Sequence, residues 1–141
     1  MKIHVVVAGF NRALSTTLPS IEKQVISPLR ELSDSCAVDF VINRSAEPIY
    51  SVWSGEKGSA EYELPTLPEG SHLLALEQAE LDASIEDFLK HILGLAAPPT
   101  ERDHTIVVNL VRYLSVLERA INVIDPDADY VFHTRPDLIF L

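Results

Sequence analysis

The sequence predicts a single α/β domain over residues 1–141, built on an open, mostly parallel sheet with helices on both faces. Three observations predict this class. Two short segments that are apolar on successive residues, as in strands covered on both faces, flank an amphipathic segment. Strand-like and helix-like segments continue to alternate along the chain. The composition, 47% hydrophobic and 23% charged over 141 residues, is that of one globular domain with its own core.

The first part of the sheet is predicted to be a β-α-β unit. The valine-rich segment 3–8 predicts a buried strand that ends at Gly9. A helix is expected over 18–32, where apolar residues recur every three to four positions, and Pro28 should kink or restart it. The apolar run 37–42 predicts a second strand. The two strands should be parallel neighbours with the helix as their crossover.

The rest of the chain predicts a loop-rich segment followed by further strands and helices. Residues 46–71 contain many proline and glycine residues, which favour loops with one short strand. Beyond them we expect a strand at 72–76, a helix beginning at Asp82 or Ser84, a long helix over 107–121 and a strand at 130–133. The long helix has an apolar stripe at spacings of three and four: Val107, Leu110, Leu114, Leu117 and Ile121.

The net charge and the cysteine content limit which binding partners and which cell compartment we expect. The net charge is −10, and residues 46–100 contribute most of it, with 2 basic and 10 acidic side chains. Such a charge repels phosphate backbones, so we expect no nucleic-acid partner. Cys36 is the only cysteine, which rules out an intrachain disulfide and predicts a cytoplasmic location. No apolar run approaches the ~20 residues of a transmembrane helix.

The carboxyl ends of the first and last strands are the candidate ligand site, because open α/β sheets bind ligands there. The turn after the first strand contains Gly9, Asn11 and Arg12. It has neither the three-glycine dinucleotide fingerprint nor the lysine of a P-loop. Arg12 and the following helix N-terminus could still hold an anion. The alternative is a plain strand-to-helix turn in which Arg12 is solvated.

The segment after the last strand, Arg135-Pro136-Asp137, is the second half of this candidate site. Pro136 cannot donate to a sheet ladder, so strand pairing should end there. The Asp137 carboxylate could bind a hard divalent cation that bridges diphosphate oxygens. The alternative is an Arg135–Asp137 pair that only stabilises the bend.

The remaining motifs do not indicate a metal-binding or catalytic site. The aspartates that precede the last strand do not form an EF-hand, because Tyr130 stands where the calcium loop needs glycine and Pro136 where it needs glutamate. They are expected to form a helix-to-strand turn. The four histidines outside the last strand lack metal-ligand spacing, and no Gly-x-Ser-x-Gly nucleophile elbow occurs.

Three segments together resemble a family of glycosyltransferases, the WavE-like lipopolysaccharide and capsule synthesis proteins, which have a GT-A nucleotide-sugar fold. Residues 7–12 with 17–21 are similar to its opening strand, G-x-x-R turn and "T-x-x-S-I" helix start. Residues 109–117 resemble the helix before its key strand, and 129–138 resemble its "D-Y-V-x-x-x-R-P-D-L" stretch.

The resemblance implies a Rossmann-like GT-A fold that binds a nucleotide-diphosphate sugar, for cell-surface polysaccharide synthesis. In GT-A enzymes a D-x-D element binds Mn²⁺ or Mg²⁺ and the donor diphosphate; here that place reads Arg135-Pro136-Asp137, so only the last acid matches. The resemblance implies that Asp137 contacts the metal ion or the donor and that Arg135 balances the phosphate charge. It also implies that Gly9, Asn11 and Arg12 lie near the nucleotide. It also implies that this chain is the donor-side part of a longer fold, without the acceptor half and its catalytic base.

A second function class competes with this one. The chain could be a non-catalytic interaction or regulatory domain that uses the apolar loop around Tyr50, Val52 and Trp53 to bind a protein partner or a second copy of itself. The two hypotheses differ in where the surface is specialised: a polar cleft with Arg12, Arg135 and Asp137 favours the first, and an exposed apolar patch favours the second.

Overall fold

The computed structural model describes residues 1–46, 49–50, 57–58, 62–92 and 100–139. Its strands are β1 (Lys2–Phe10), β2 (Ser35–Arg44), β3 (Ile49–Tyr50), β4 (Lys57–Gly58), β5 (Ser71–Glu77) and β6 (Tyr130–Thr134). Its helices are α1 (Leu14–Ile21), α2 (Ser27–Leu32), α3 (Gln78–Ile92) and α4 (Glu101–Val123), and one π-helical segment, Glu22–Ile26, joins α1 to α2.

Four of the strands form one parallel sheet in the order β5-β2-β1-β6. Lys2 of β1 pairs with Ser35 of β2 and Ile3 pairs with Tyr130 of β6, all in parallel register. The chain therefore builds outward from β1 through β2 to β5 and then returns to the other side of β1. This confirms the α/β class, the predicted β-α-β unit and the expected third and fourth strands. The short strands β3 and β4 pair with each other.

One face of the sheet is covered by the chain between β1 and β2. Val5 and Val7 of β1 and Phe40 of β2 are buried against this face of the core, which α1, the π-helical segment and α2 cover. The π-helical segment ends at Ile26 and α2 begins at Ser27, with Pro28 in its first turn. Ile26 and Ser27 keep helical backbone angles, so the helix continues through this point and changes only from π-helical to α-helical hydrogen bonding.

The opposite face is covered by α3 and α4, so the sheet has helices on both faces. The predicted start of α3 at Asp82 or Ser84 is wrong, because the helix begins at Gln78, directly after the last residue of β5. Asp82 is a helix-interior residue whose carboxylate accepts two hydrogen bonds from Arg112 of α4, both at 2.6 Å. Its polar side chain therefore serves a helix–helix contact and not a cap.

The predicted α4 is confirmed, but its apolar stripe does not face the sheet. Leu110, Leu114 and Ile121 are exposed, whereas Val116 and Ala120 are buried against β1 and β2. The residues that meet the sheet are the smaller ones, which allow close packing of the helix backbone. Periodicity alone thus identified the helix correctly and left its buried face to be decided by packing.

A buried histidine links the end of α4 to the sheet. Nδ1 of His4 accepts a hydrogen bond from the backbone N–H of Asp125, at 2.8 Å. Nε2 of His4 lies 2.6 Å from Oδ2 of Asp39 and must carry the proton that this contact needs. The ring therefore accepts a hydrogen bond at Nδ1 and donates one at Nε2, which links the end of α4 to β1 and β2.

Candidate functional site

The candidate site lies where the order of strands reverses. Successive strands run from β1 towards β5, and β6 then pairs with β1 on the other side. Loops leaving the carboxyl ends of β1 and β6 therefore diverge from adjacent strands, and such a point is where open α/β sheets form ligand crevices. The predicted segments Gly9–Arg12 and Thr134–Asp137 follow these two strand ends. The structure thus brings the two halves of the predicted site to one edge of the sheet.

Asn11 anchors the first of these loops. Its backbone N–H donates to the carbonyl oxygen of Asn43 at the end of β2, at 2.9 Å. Its side-chain amide donates to the carbonyl oxygen of Glu63, at 3.2 Å. Because the Asn11 side chain is fully buried, it holds the segment around Glu63 over this edge of the sheet. The Asn11 side chain therefore positions the segment around Glu63 and is itself not exposed to a ligand.

Arg12 is the exposed cation of the same loop. Its guanidinium carbon lies 5.7 Å from the centre of the Phe10 ring, a cation–π distance that orients the side chain over the end of β1. Its backbone N–H donates to the carbonyl oxygen of Phe10, at 3.0 Å. Among the residues that the structure describes, Arg12 forms no ion pair.

Gly9 is packed against the second loop. Pro136 is buried, and a Cβ placed on Gly9 would lie 2.8 Å from its Cδ atom. Thr17 of α1 donates its hydroxyl hydrogen bond to the carbonyl oxygen of Pro136. The two loops and α1 are therefore fastened together at the strand reversal, so Gly9 serves this close approach.

Arg135 and Asp137 form a two-point ion pair. Nε and Nη2 of Arg135 lie 2.9 and 2.6 Å from the two carboxylate oxygens of Asp137. These hydrogen bonds raise the pKa of the Arg135 guanidinium above its ordinary value, so it remains charged. This is the geometry of the alternative in which the pair stabilises the bend. Arg135 nevertheless stays half exposed and accessible to an anion.

The same pair bears on the implied metal ion. Each oxygen of Asp137 accepts one hydrogen bond from the Arg135 guanidinium, whose positive charge would repel a divalent cation bound to the same carboxylate. Among the described residues, no group of three or more His, Cys, Asp or Glu side chains is placed to hold a metal. In this arrangement Asp137 does not fit Mn²⁺ or Mg²⁺.

Two further polar residues at the same edge, Asn43 and Arg44 at the end of β2, were not predicted as site residues from the sequence. Asn43 is fully buried beside Phe10 in the strand register, and neither atom of its side-chain amide has a hydrogen-bond partner in the described chain. Arg44 pairs with Glu77, which raises the pKa of its guanidinium, and its guanidinium carbon lies 4.8 Å from the centre of the Tyr62 ring. Applying the rule of strand carboxyl ends to β2 would have found both residues.

A cavity of about 430 Å³ lies beside the first turn of α1. Ser15 lines it from α1, and Tyr62, Glu63, Leu64 and Pro65 line it from the segment that Asn11 holds. The cavity therefore adjoins the Gly9–Arg12 loop on the side of the sheet that α1 covers.

The remaining candidates lie elsewhere. The aspartate segment forms the expected turn: Asp127 donates its N–H to Oδ1 of Asp125, and Asp129 accepts the N–H of Lys2, at 2.9 and 2.7 Å. The loop around Val52 and Trp53 and the side chain of Tyr50 fall outside the described residues. Within those residues, no helix combines the length and apolarity that spanning a bilayer requires.

The described residues form a parallel α/β fold in which two arginine-bearing loops follow the carboxyl ends of the adjacent strands β1 and β6. Comparisons with protein families, curated proteins and solved structures found no match to this chain.

Proposed function

We propose that this chain binds a nucleotide-diphosphate sugar at the carboxyl ends of β1 and β6, as a glycosyltransferase-like domain of the Rossmann-like GT-A type. The observation that carries the proposal is the strand reversal between β1 and β6, which brings Arg12 and Arg135 to one edge of the sheet. The resemblance of residues 129–138 to the glycosyltransferase pattern supplies the ligand class. Cell-surface polysaccharide synthesis is the pathway class that this resemblance supports.

Charge explains why the arginines matter. A protein of net charge −10 repels a diphosphate at long range, so binding depends on local cations. Arg12 is oriented by the Phe10 ring and unpaired within the described chain, while Arg135 offers a guanidinium partly neutralised by Asp137. Guanidinium groups bind phosphate oxygens with two parallel hydrogen bonds, which suits a diphosphate. Arg12 is therefore the first contact and Arg135 the second.

The test is a thermal-shift titration with UDP, GDP, CMP and TDP, with and without Mn²⁺. A nucleotide present at about 100 times its Kd should add about 2.7 kcal/mol of apparent stability. We expect one nucleotide to produce this shift, and Arg12→Gln to raise its Kd by about tenfold or more. The matched control is Arg119→Gln, at an exposed arginine of α4. No shift with any nucleotide on folded protein would contradict the proposal.

Asp137→Ala separates the two roles of that carboxylate. A shift that grows with Mn²⁺ and loses this increment in Asp137→Ala would assign a metal ion to Asp137. A shift that needs no metal and persists in Asp137→Ala would show that the arginines hold the diphosphate alone and that Asp137 only orients Arg135.

The second candidate, a non-catalytic interaction domain, is favoured by a different observation. Exposed apolar side chains occur along α4 and β6. No shift with any nucleotide on folded protein would favour this second candidate.

A further inference from the structure

The cavity beside α1 has one aromatic wall, the side chain of Tyr62. The guanidinium carbon of Arg44 lies 4.8 Å from the centre of the Tyr62 ring, and Arg44 is itself paired with Glu77 of β5. Tyr62 nevertheless remains 43% exposed. An aromatic ring that is packed against a cation and still open to solvent at a cavity can stack on a flat ligand.

The rest of this wall is apolar and anchored. Leu64 and Pro65 are half-buried and line the cavity beside Tyr62, and Leu64 also packs against the buried core on the α1 side of the sheet. The backbone carbonyl of Glu63 accepts the hydrogen bond from the Asn11 side chain, at 3.2 Å. The wall is therefore tied to the core and to the loop after β1 without a ligand, so that binding a ligand orders few further groups.

The charges around the cavity exclude a phosphate from it. Among the described residues that line the cavity there is one acid, the exposed Glu63, and no basic residue. A carboxylate repels a diphosphate, whereas the guanidinium of Arg12 attracts one. The cavity therefore suits an uncharged, flat part of a ligand whose charged part lies at Arg12.

The cavity and Arg12 are close enough for one ligand to contact both. Ser15 lines the cavity, and Arg12 precedes it by three residues, so the two Cα atoms are at most about 11 Å apart. In a nucleotide, a ribose joins the base to the phosphates across a separation of this order. The cavity volume of about 430 Å³ is also within the range of small-ligand sites, about 300–1,000 Å³.

We propose that this cavity is the base subsite of the nucleotide site, with the base stacked on the Tyr62 ring and the diphosphate held at Arg12. The inference rests on the proposed function and adds to it where the base lies. Every nucleobase has a flat aromatic face, so Tyr62 contributes affinity for the nucleoside part whichever base is bound.

The test compares nucleotides with inorganic pyrophosphate, which carries the diphosphate and no base. In isothermal titration calorimetry, the tightest of UDP, GDP and TDP should have a Kd about tenfold or more below that of pyrophosphate. Tyr62→Ala should raise the Kd of this nucleotide by about tenfold or more, because it removes the stacking contact. The same variant should leave the Kd of pyrophosphate unchanged. Tyr62→Phe keeps the ring and should bind the nucleotide like the unmodified chain.

Tyr130→Ala is the matched control, because Tyr130 is another exposed tyrosine and lies at the amino end of β6, at the opposite edge of the sheet. It should leave every Kd unchanged. A nucleotide that binds more tightly than pyrophosphate but is insensitive to Tyr62→Ala would overturn the inference. Equal binding of nucleotides and pyrophosphate, weakened by Arg12→Gln, would overturn the base subsite and leave the diphosphate site in place. Binding of none of the four probes would overturn both proposals.

A second measurement uses the unmodified chain. In its complex with the tightest of the three nucleotides, the base protons should show nuclear Overhauser contacts with the ring protons of Tyr62. Because none of these probes carries a donor sugar, such contacts assign the ring to the base and not to the sugar. Contacts of the base with another tyrosine, or with none, would overturn the inference.

Discussion

Gly9 of β1 lies directly against the ring of Pro136, so that a Cβ on the glycine would approach Pro136 Cδ to 2.8 Å. The contact joins two segments that are far apart in the chain, both predicted to form the ligand site because each follows the carboxyl end of a strand. The φ angle of Gly9, +156°, is also one that residues with a side chain rarely adopt. Gly9 therefore sets how closely the loop after β6 approaches β1 at the candidate site.

Gly9→Ala is expected to destabilise the protein by about 1–3 kcal/mol, because the added methyl group overpacks the contact with Pro136. Urea denaturation monitored by circular dichroism measures the change. Pro136→Ala in the same chain should recover part of the loss, since it removes the Cδ atom. Gly70→Ala is the control for the steric contact. Gly70 also has a positive φ, +72°, but a Cβ on it would have open space, because the nearest atom lies 3.9 Å away. If Gly9→Ala has no effect, the close contact does not constrain this position.

Val116→Ala and Leu114→Gln test which face of α4 is buried. Val116 is fully buried against the sheet, so its truncation should cost about 1–3 kcal/mol in the free energy of unfolding. Leu114 is half exposed, so its replacement should change that free energy by about 0.5 kcal/mol or less. The reverse ranking would mean that the predicted leucine stripe faces the sheet after all.

The Arg112–Asp82 pair should couple α3 to α4. Arg112 is mostly buried and donates two hydrogen bonds to Asp82, a geometry stronger than that of an ordinary surface pair. We expect Arg112→Gln and Asp82→Asn each to cost about 1–3 kcal/mol. In a double-mutant cycle the double variant should lose less than the sum of the two single losses. Strict additivity would show that the pair adds nothing to helix packing.

Cys36 should react slowly in the folded protein. Partial burial raises the pKa of its thiol above the ordinary value of 9.0, the Arg30 charge opposing this less strongly. At pH 8 less of the thiol is ionised in the folded state than in the unfolded state, so alkylation by iodoacetamide should be several-fold slower than in denaturant and should accelerate above pH 9. As the only cysteine it gives an unambiguous readout. Equal rates in the folded and unfolded states would contradict the raised pKa.

The most buried strands were the most predictable elements. β1 and β2 lie in the middle of the sheet, so their residues are apolar on both faces and the sequence shows an unbroken apolar run. The boundary of α3 was wrong because Asp82 serves an ion pair with Arg112, and a contact so distant along the chain leaves no local signal. The buried face of α4 was also invisible, since small residues at the sheet and leucines in solvent reverse the ordinary pattern.

The sequence by itself determined the order of strands and helices, the α/β class, the end of strand pairing at Pro136 and the two loops that bear charged groups. Only the tertiary structure decided that β6 returns beside β1 and that Gly9 contacts Pro136. It also decided that Arg135 donates a hydrogen bond to each carboxylate oxygen of Asp137. The physical reason is range. Periodicity and turn chemistry act over a few residues, whereas strand adjacency and side-chain pairing depend on how separate elements pack around the common core.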